Sequence, residues 1–217
     1  MSLRVWTQSP IKIKNISYCR YLTKGPASAE KYKARDIVKA IKGDPFGGYT
    51  HLDVGGIPVL LDKDHTQSAF DWFAERVDKE TTFAKDTTYL VCPIPDSECT
   101  AKCGRPSKTL KLAQAITARI PRIGILDVLR FTKPMPKSSE TNIRDEEALF
   151  KAMVCSVQKV PNAHILVLDD VCTTGAHARA AARRLMAHGA NSVQGISVAR
   201  TTQDVDDKLF GFRQDEI

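Results

Sequence analysis

Two adjacent carboxylates follow a run of aliphatic residues in the last third of the chain. Asp169 and Asp170 come directly after residues 165–168, an uninterrupted apolar run that is typical of a strand covered on both faces. Such a strand belongs to a parallel sheet with helices packed against it, so the two acids are expected at its carboxyl end. There they can accept hydrogen bonds from sugar hydroxyls or hold a divalent metal.

A short polar turn follows the acids and leads into an alanine-rich helix. Thr173, Thr174 and Gly175 supply hydroxyls, backbone N–H groups and one position free to adopt positive φ. The helix is expected to begin at Ala176, so that its positive end points into the turn, where an anion would bind. Acids and turn together predict a ligand with one phosphate and a pair of hydroxyls, and ribose 5-phosphate fits.

Residues 167–175, Val-Leu-Asp-Asp-Val-Cys-Thr-Thr-Gly, resemble the phosphoribosyl pyrophosphate (PRPP) signature of type I phosphoribosyltransferases. The resemblance implies an α/β fold with a central, mostly parallel sheet flanked by helices and a small N-terminal hood-like subdomain. It implies that Asp169 and Asp170 are the catalytic acids and hold Mg²⁺. The residues implied to bind the 5-phosphate are Thr173, Thr174, Gly175, Ala176 and His177.

His177 stands where that family usually has threonine. Its ring N–H could contact the phosphate, or it could be an ordinary exposed residue of the first helical turn.

A second loop is expected near the same edge of the sheet. Residues 89–92 form a short apolar segment that Pro93-Ile94-Pro95 ends, and a polar stretch, 96–106, follows. Ligands of open α/β sheets bind where such loops leave the carboxyl ends of strands. The resemblance implies that this loop binds pyrophosphate, and the alternative is a set of solvated loop charges. The pyrophosphate-binding residues would be Ser97, Lys102, Gly104 and Arg105.

Residues 125–129 are predicted to form another strand, and residues 130–150 after it have the composition of a flexible segment. The resemblance implies a lid that closes over PRPP, whereas the alternative is a disordered surface insertion. The cations of the implied lid are Arg130, Lys133, Lys137 and Arg144.

From Pro93 onward, the order of motifs most resembles the competence-associated, amidophosphoribosyltransferase-like ComF family. The matching features are Pro93-Ile94-Pro95, the long loop, Asn142-x-Arg144, the signature, Gly189-Ala190 and residues 193–200. Two features depart from that family. The chain has no four-cysteine ribbon near its start, and residues 103–106 replace an Arg-Gly-aromatic-Asn stretch.

The N-terminal part has its own pattern. It predicts a strand over 11–18, a helix that Ser28 caps and Gly43 ends, a hairpin over 51–61 and a second amphipathic helix. We therefore predict two regions: a hood-like α+β segment over residues 1–86 and a phosphoribosyltransferase core over residues 87–217.

Composition sets the class of protein. The 217 residues are 42% hydrophobic and 26% charged, which suits one α/β domain or a domain with an appended subdomain. The chain has no long apolar segment and no apolar signal region at its start, so a cytoplasmic protein without membrane contact is expected. Its six cysteines lack a framework spacing and are expected to be reduced.

A formal net charge of +7 suits a polyanionic small substrate and equally a nucleic acid. Two functions stay open. The first is Mg²⁺-assisted transfer of the phosphoribosyl group from PRPP to an unidentified nitrogen acceptor. A homodimer stays open for this enzyme, because relatives in the resembled family are often dimers. The second is a non-catalytic protein that binds PRPP, nucleotides or single-stranded DNA. Aromatic residues are only 7% and are not interleaved with the basic loops, which favours the enzyme.

Overall fold

A computed structural model describes residues 11–102, 105–136 and 145–217, and these form ten strands and five helices. The strands are β1 (Lys14–Leu22), β2 (Thr50–Val54), β3 (Ile57–Leu61), β4 (Tyr89–Pro93), β5 (Ile123–Ile125), β6 (Leu129–Phe131), β7 (Met153–Cys155), β8 (His164–Cys172), β9 (Ser192–Thr202) and β10 (Phe210–Glu216). The helices are α1 (Ala29–Lys42), α2 (Gln67–Glu80), α3 (Thr109–Arg119), α4 (Glu146–Ala152) and α5 (Ala176–Ala187). None of these helices is long and apolar enough to cross a membrane.

Local signals explain the N-terminal elements. The Ser28 hydroxyl accepts a hydrogen bond from the Lys31 N–H at 3.1 Å and so caps α1. Gly43 ends that helix in the left-handed conformation, with φ of 72°. Strands β2 and β3 pair antiparallel around Gly55 and Gly56, both at positive φ. The predicted helix and hairpin are thus confirmed.

Six strands form the central sheet, in the order β10-β1-β9-β8-β4-β5. Within this sheet, β1, β9, β8, β4 and β5 run parallel to one another, and β10 pairs antiparallel with β1 at one edge. This confirms the predicted α/β class with a mostly parallel sheet. Strand β1 belongs to this sheet although it lies in the predicted N-terminal region. The hood-like subdomain and the division between residues 86 and 87 stay predictions.

Helices cover both faces of the sheet, as the apolar run in β8 predicted. Leu166 and Leu168 pack into a core that includes residues of α1, α2 and α3, while Ile165 and Val167 pack into a second core with residues of α4 and α5. Because side chains alternate along a strand, four consecutive aliphatic residues serve both cores.

Two local predictions are wrong. The single strand expected over 125–129 is replaced by β5, which ends at Ile125 in the central sheet, and β6, which begins at Leu129 and pairs with β7 in a separate sheet. Asp127, in the turn between them, forms an ion pair with Arg130. The segment expected to be flexible includes α4, which Asp145 caps by accepting a hydrogen bond from the Glu147 N–H. Burial of Leu149 and Phe150 holds this short helix in place.

Candidate active site

The chain reverses its direction across the sheet between β4 and β8. From β4 it passes through α3 to β5, toward one edge, whereas from β8 it passes through α5 to β9, toward the other. The loops that leave the carboxyl ends of β4 and β8 therefore diverge and open a crevice. Ligands of open α/β sheets bind at such a point.

A cavity of about 640 Å³ occupies this crevice. Four parallel strands contribute their carboxyl ends or the residues just beyond them: Tyr21 and Thr23 from β1, Ile94 after β4, Asp169 from β8 and Thr201 from β9. The other lining residues are Lys42, Asp44, Pro95, Asp96, Ser97, Lys108, Thr109, Phe131, Met135, Pro136, Leu149, Asp170, Val171, Thr173 and His177.

Both acids of the motif line the cavity. They belong to the last residues of β8, which continues to Cys172, and each carboxylate accepts a hydrogen bond from the next backbone N–H. These bonds run from Asp170 N to Asp169 Oδ1 at 2.9 Å and from Val171 N to Asp170 Oδ1 at 2.6 Å. Burial, and then the charge of Asp170, raise the pKa of Asp169 well above the usual range, while the hydrogen bond from the Asp170 N–H and the charge of Lys42 oppose the shift.

The polar turn after β8 has the predicted conformation at Gly175, where φ is 77°. A Cβ there would lie 2.7 Å from Ile217 Cδ1, so any side chain would collide with the packed isoleucine. The Thr173 hydroxyl bonds to the Thr201 hydroxyl at 3.1 Å, and the Thr174 hydroxyl accepts from the Ala176 N–H at 3.4 Å. Helix α5 begins at Ala176 as expected, which leaves the N–H groups of its first turn without helical acceptors.

Of the five residues predicted to bind the 5-phosphate, Thr173 and His177 line the cavity, whereas Thr174, Gly175 and Ala176 are not among the lining residues. Burial lowers the pKa of His177, and the nearby Asp170 opposes this only in part. The ring is therefore neutral near pH 7, where it can donate one N–H without carrying charge.

The loop after β4 is only partly as predicted. Ser97 lines the cavity, but Lys102 and Arg105 do not. Lys102 is exposed, Arg105 forms an ion pair with Glu98, and Gly104 lies outside the described residues.

Within the described parts of the chain, the cations that line the cavity are Lys42 and Lys108, which the sequence did not single out. The Lys108 ammonium donates to the Lys42 carbonyl oxygen at 3.2 Å and so ties the start of α3 to the end of α1. Lys42 was missed because a basic residue in the last turn of a helix has an ordinary explanation in the helix dipole.

Of the predicted lid cations, the structure describes Arg130 and Lys133, and neither lines the first cavity. Both guanidinium NH₂ groups of Arg130 bond to the Asp127 carboxylate, at 2.6 and 2.8 Å. Lys133 lines a second cavity of about 590 Å³ beside α4. Lys137 and Arg144 lie outside the described residues. Their role as a lid stays a prediction, although Phe131, Met135 and Pro136 from the same segment line the first cavity.

The charge of the first cavity bears on which ligand it can hold. Among the described lining residues, four are acidic, namely Asp44, Asp96, Asp169 and Asp170, and two are lysines. The raised pKa of Asp169 removes part of this negative charge near pH 7. A polyanion would be repelled there unless a cation accompanied it. The described residues offer no cluster of three His, Cys, Asp or Glu side chains for a metal. The paired aspartates fit Mg²⁺, which commonly takes one or two carboxylates and completes its shell with water and substrate oxygens.

Comparison with known proteins finds likeness among solved structures. No protein-family model matches the chain, and no curated protein matches it. Among solved structures, the chain is similar to UMP synthase of Leishmania donovani, with 15% identity and a TM-score of 0.37. The match covers 80% of this chain and 31% of the synthase, so the chain spans about a third of that protein's length.

Proposed function

We propose that this protein is a phosphoribosyltransferase that binds PRPP with Mg²⁺ and transfers the phosphoribosyl group to a nitrogen nucleophile, releasing pyrophosphate. One observation carries the proposal. A single cavity at the switch point of the sheet brings together the paired acids of β8, Ser97 from the loop after β4, and Thr173 and His177 at the start of α5. A ligand with a phosphate at one end, a diol in the middle and a diphosphate at the other would meet all three groups.

Each group has a distinct role in the proposed complex. The first-turn N–H groups of α5, with the Thr173 hydroxyl and the neutral His177 ring, hold the 5-phosphate. Asp169 and Asp170 accept hydrogen bonds from the ribose hydroxyls. Ser97, near the opposite side of the switch point, bonds to the pyrophosphate group, and Lys42 and Lys108 are the described cations that can neutralise it.

The chemical step is a substitution at C1 of the ribose. The acceptor nitrogen donates its lone pair to form the N–C1 bond, and the C1–O bond to pyrophosphate breaks with both electrons leaving on the pyrophosphate oxygen. Positive charge grows on the sugar ring in between, close to the carboxylates of Asp169 and Asp170, which stabilise it. An acceptor that carries a proton on this nitrogen loses it to solvent or to the leaving group.

Magnesium would be held by Asp169 and Asp170, and it would supply positive charge against the phosphate oxygens. Because the pKa of Asp169 is raised in the folded protein, this carboxyl is partly protonated when no cation is present. A divalent cation reverses that preference because it favours the ionised form of both acids.

The alternative is a protein that binds PRPP or a nucleotide without turnover, in the ComF-like branch or elsewhere, or one that contacts single-stranded DNA. The net charge of +7 permits nucleic-acid binding. The acidic residues in the cavity oppose it there even with Asp169 protonated, because Asp44, Asp96 and Asp170 would repel the phosphates of a DNA backbone.

The test is a screen of purines, pyrimidines and simple amines with PRPP and Mg²⁺, scored by pyrophosphate release. We expect release that depends on both one acceptor and the metal. PRPP binding without release by any acceptor would support the non-catalytic alternative, and the absence of PRPP binding would contradict the proposal. DNA contact is tested separately by the salt dependence of oligonucleotide binding.

A further inference from the structure

An ion-pair network lies next to the turn of residues 173–175, which we call the phosphate loop. The proposed reaction does not use this network. Arg179 and Arg183 of α5 meet Glu146 and Glu147 of α4. Glu146 is the bridging residue: its Oε2 accepts from Arg179 Nε at 2.7 Å and its Oε1 from Arg183 at 3.1 Å. The side chain of Arg183 is fully buried, and that of Glu146 is 7% exposed.

Arg179 differs from the rest of the network because it also contacts the loop. One of its NH₂ groups donates to the Thr174 carbonyl oxygen at 2.9 Å. The same nitrogen lies 3.0 Å from the point where a Cβ of Gly175 would be. The guanidinium therefore spans the loop backbone and the buried carboxylate of Glu146.

This contact fixes the orientation of one peptide group. In a planar trans peptide, the C=O and the N–H point in opposite directions. While the Thr174 C=O points to Arg179, the N–H of Gly175, in the same peptide, must point away from it. On its other side, the Arg179 guanidinium is held by the Glu146 carboxylate. The negative charge of Glu146 also offsets the repulsion between the Arg179 cation and the positive end of α5.

We propose that Arg179 is a positioning residue for the phosphate loop: held by Glu146, it orients the peptide between Thr174 and Gly175 so that its N–H is available to a ligand phosphate. The inference rests on the proposed function, since it concerns the same 5-phosphate site. Neither Arg179 nor Gly175 is among the residues that line the cavity, whereas Thr173 and His177, on either side of Gly175, do line it. The effect of Arg179 is therefore exerted through the backbone of this turn and not by contact of its side chain with the ligand.

Arg179→Gln tests this, because glutamine cannot bridge the carbonyl and Glu146 as the guanidinium does. We expect its affinity for ribose 5-phosphate, measured by calorimetry, to fall about tenfold or more. Its affinity for magnesium pyrophosphate should stay within about twofold of the parent, because pyrophosphate does not use the loop. Arg179→Lys should recover part of the lost affinity. A purely structural role would instead weaken both ligands or neither.

Arg184→Gln is the matched control. Arg184 lies on the same helix and also joins α4, through a bond from its NH₂ to the Phe150 carbonyl oxygen at 2.6 Å and stacking on the Phe150 ring. It has no described contact with the loop. This variant should lose thermal stability while keeping the parent's affinity for ribose 5-phosphate.

The outcomes separate the two proposals. If the parent binds ribose 5-phosphate and the Arg179→Gln variant binds it equally well, this inference is contradicted and the proposed function is not. The same would follow if Arg184→Gln weakened ribose 5-phosphate as much as Arg179→Gln did. A parent that binds neither ribose 5-phosphate nor PRPP would contradict the proposed function and this inference with it.

Discussion

Adding one methyl group at Gly175 should damage both the fold and the phosphate site. The backbone there has φ of 77°, and a new Cβ would lie 2.7 and 2.8 Å from Ile217 Cδ1 and Cβ. Two costs add in Gly175→Ala. The left-handed conformation costs a residue with a Cβ about 1–2 kcal/mol, and forcing a buried neighbour to move typically costs a further ~1–3 kcal/mol.

Gly56→Ala provides the reference for the first cost. Gly56 has φ of 82° in the turn between β2 and β3, and a Cβ there would meet nothing within 4 Å. This variant should lose only the conformational part, about 1–2 kcal/mol. The difference between the two variants in free energy of unfolding, measured by urea denaturation, then isolates the collision with Ile217.

Binding completes the test. Gly175→Ala should also weaken ribose 5-phosphate, because relief of the collision moves the loop, whereas Gly56→Ala should bind it like the parent. Equal loss of stability in the two variants would refute the collision. Reduced stability with unchanged affinity for ribose 5-phosphate would refute the loop as the phosphate site.

Two further predictions concern charge in the cavity. The pKa of Asp169 rises from 3.8 to about 8 on folding, so the folded state binds this proton more tightly than the unfolded state does. The free energy of unfolding of the metal-free protein should therefore fall as the pH rises from 3.8 to about 8, by at most about 1.4 kcal/mol per pH unit. Denaturation in chelator should show a flatter pH profile for Asp169→Asn; an unchanged profile would contradict the assigned burial. Lys42→Met should weaken magnesium pyrophosphate several-fold more than ribose 5-phosphate in calorimetry, whereas Lys111→Met, on the exposed side of α3, should change neither. If Lys42→Met weakened the binding of both ligands equally, the Lys42 ammonium would not have its assigned place at the pyrophosphate group.

Features with a strong local signal could be predicted from the sequence. The aliphatic run before Asp169 indicated a strand covered on both faces, and the structure confirms it by splitting the run between two cores. Ser28 and Gly43 marked the ends of α1 because capping depends on one or two residues. The positive φ of Gly175 followed from the same kind of short-range constraint.

Features that depend on distant contacts could not be predicted. Helix α4 has only seven residues, too few for a clear helical period, and it is held by burial of Leu149 and Phe150 and by ion pairs to α5. Strand β10 is rich in charged residues and owes its place to pairing with β1 at the edge of the sheet. Lys42 reaches the cavity only because the fold brings the end of α1 to the carboxyl ends of the strands.

The central claim is that Asp169 and Asp170 bind PRPP. Calorimetry of PRPP binding in the presence of Mg²⁺ tests it most directly. The parent protein should bind, and the double variant Asp169→Asn, Asp170→Asn should not, while thermal denaturation shows that the variant remains folded. Asparagine is isosteric with aspartate and needs no charge compensation, so the double replacement at the end of β8 should leave the fold intact. A folded double variant that binds PRPP as tightly as the parent would contradict the account.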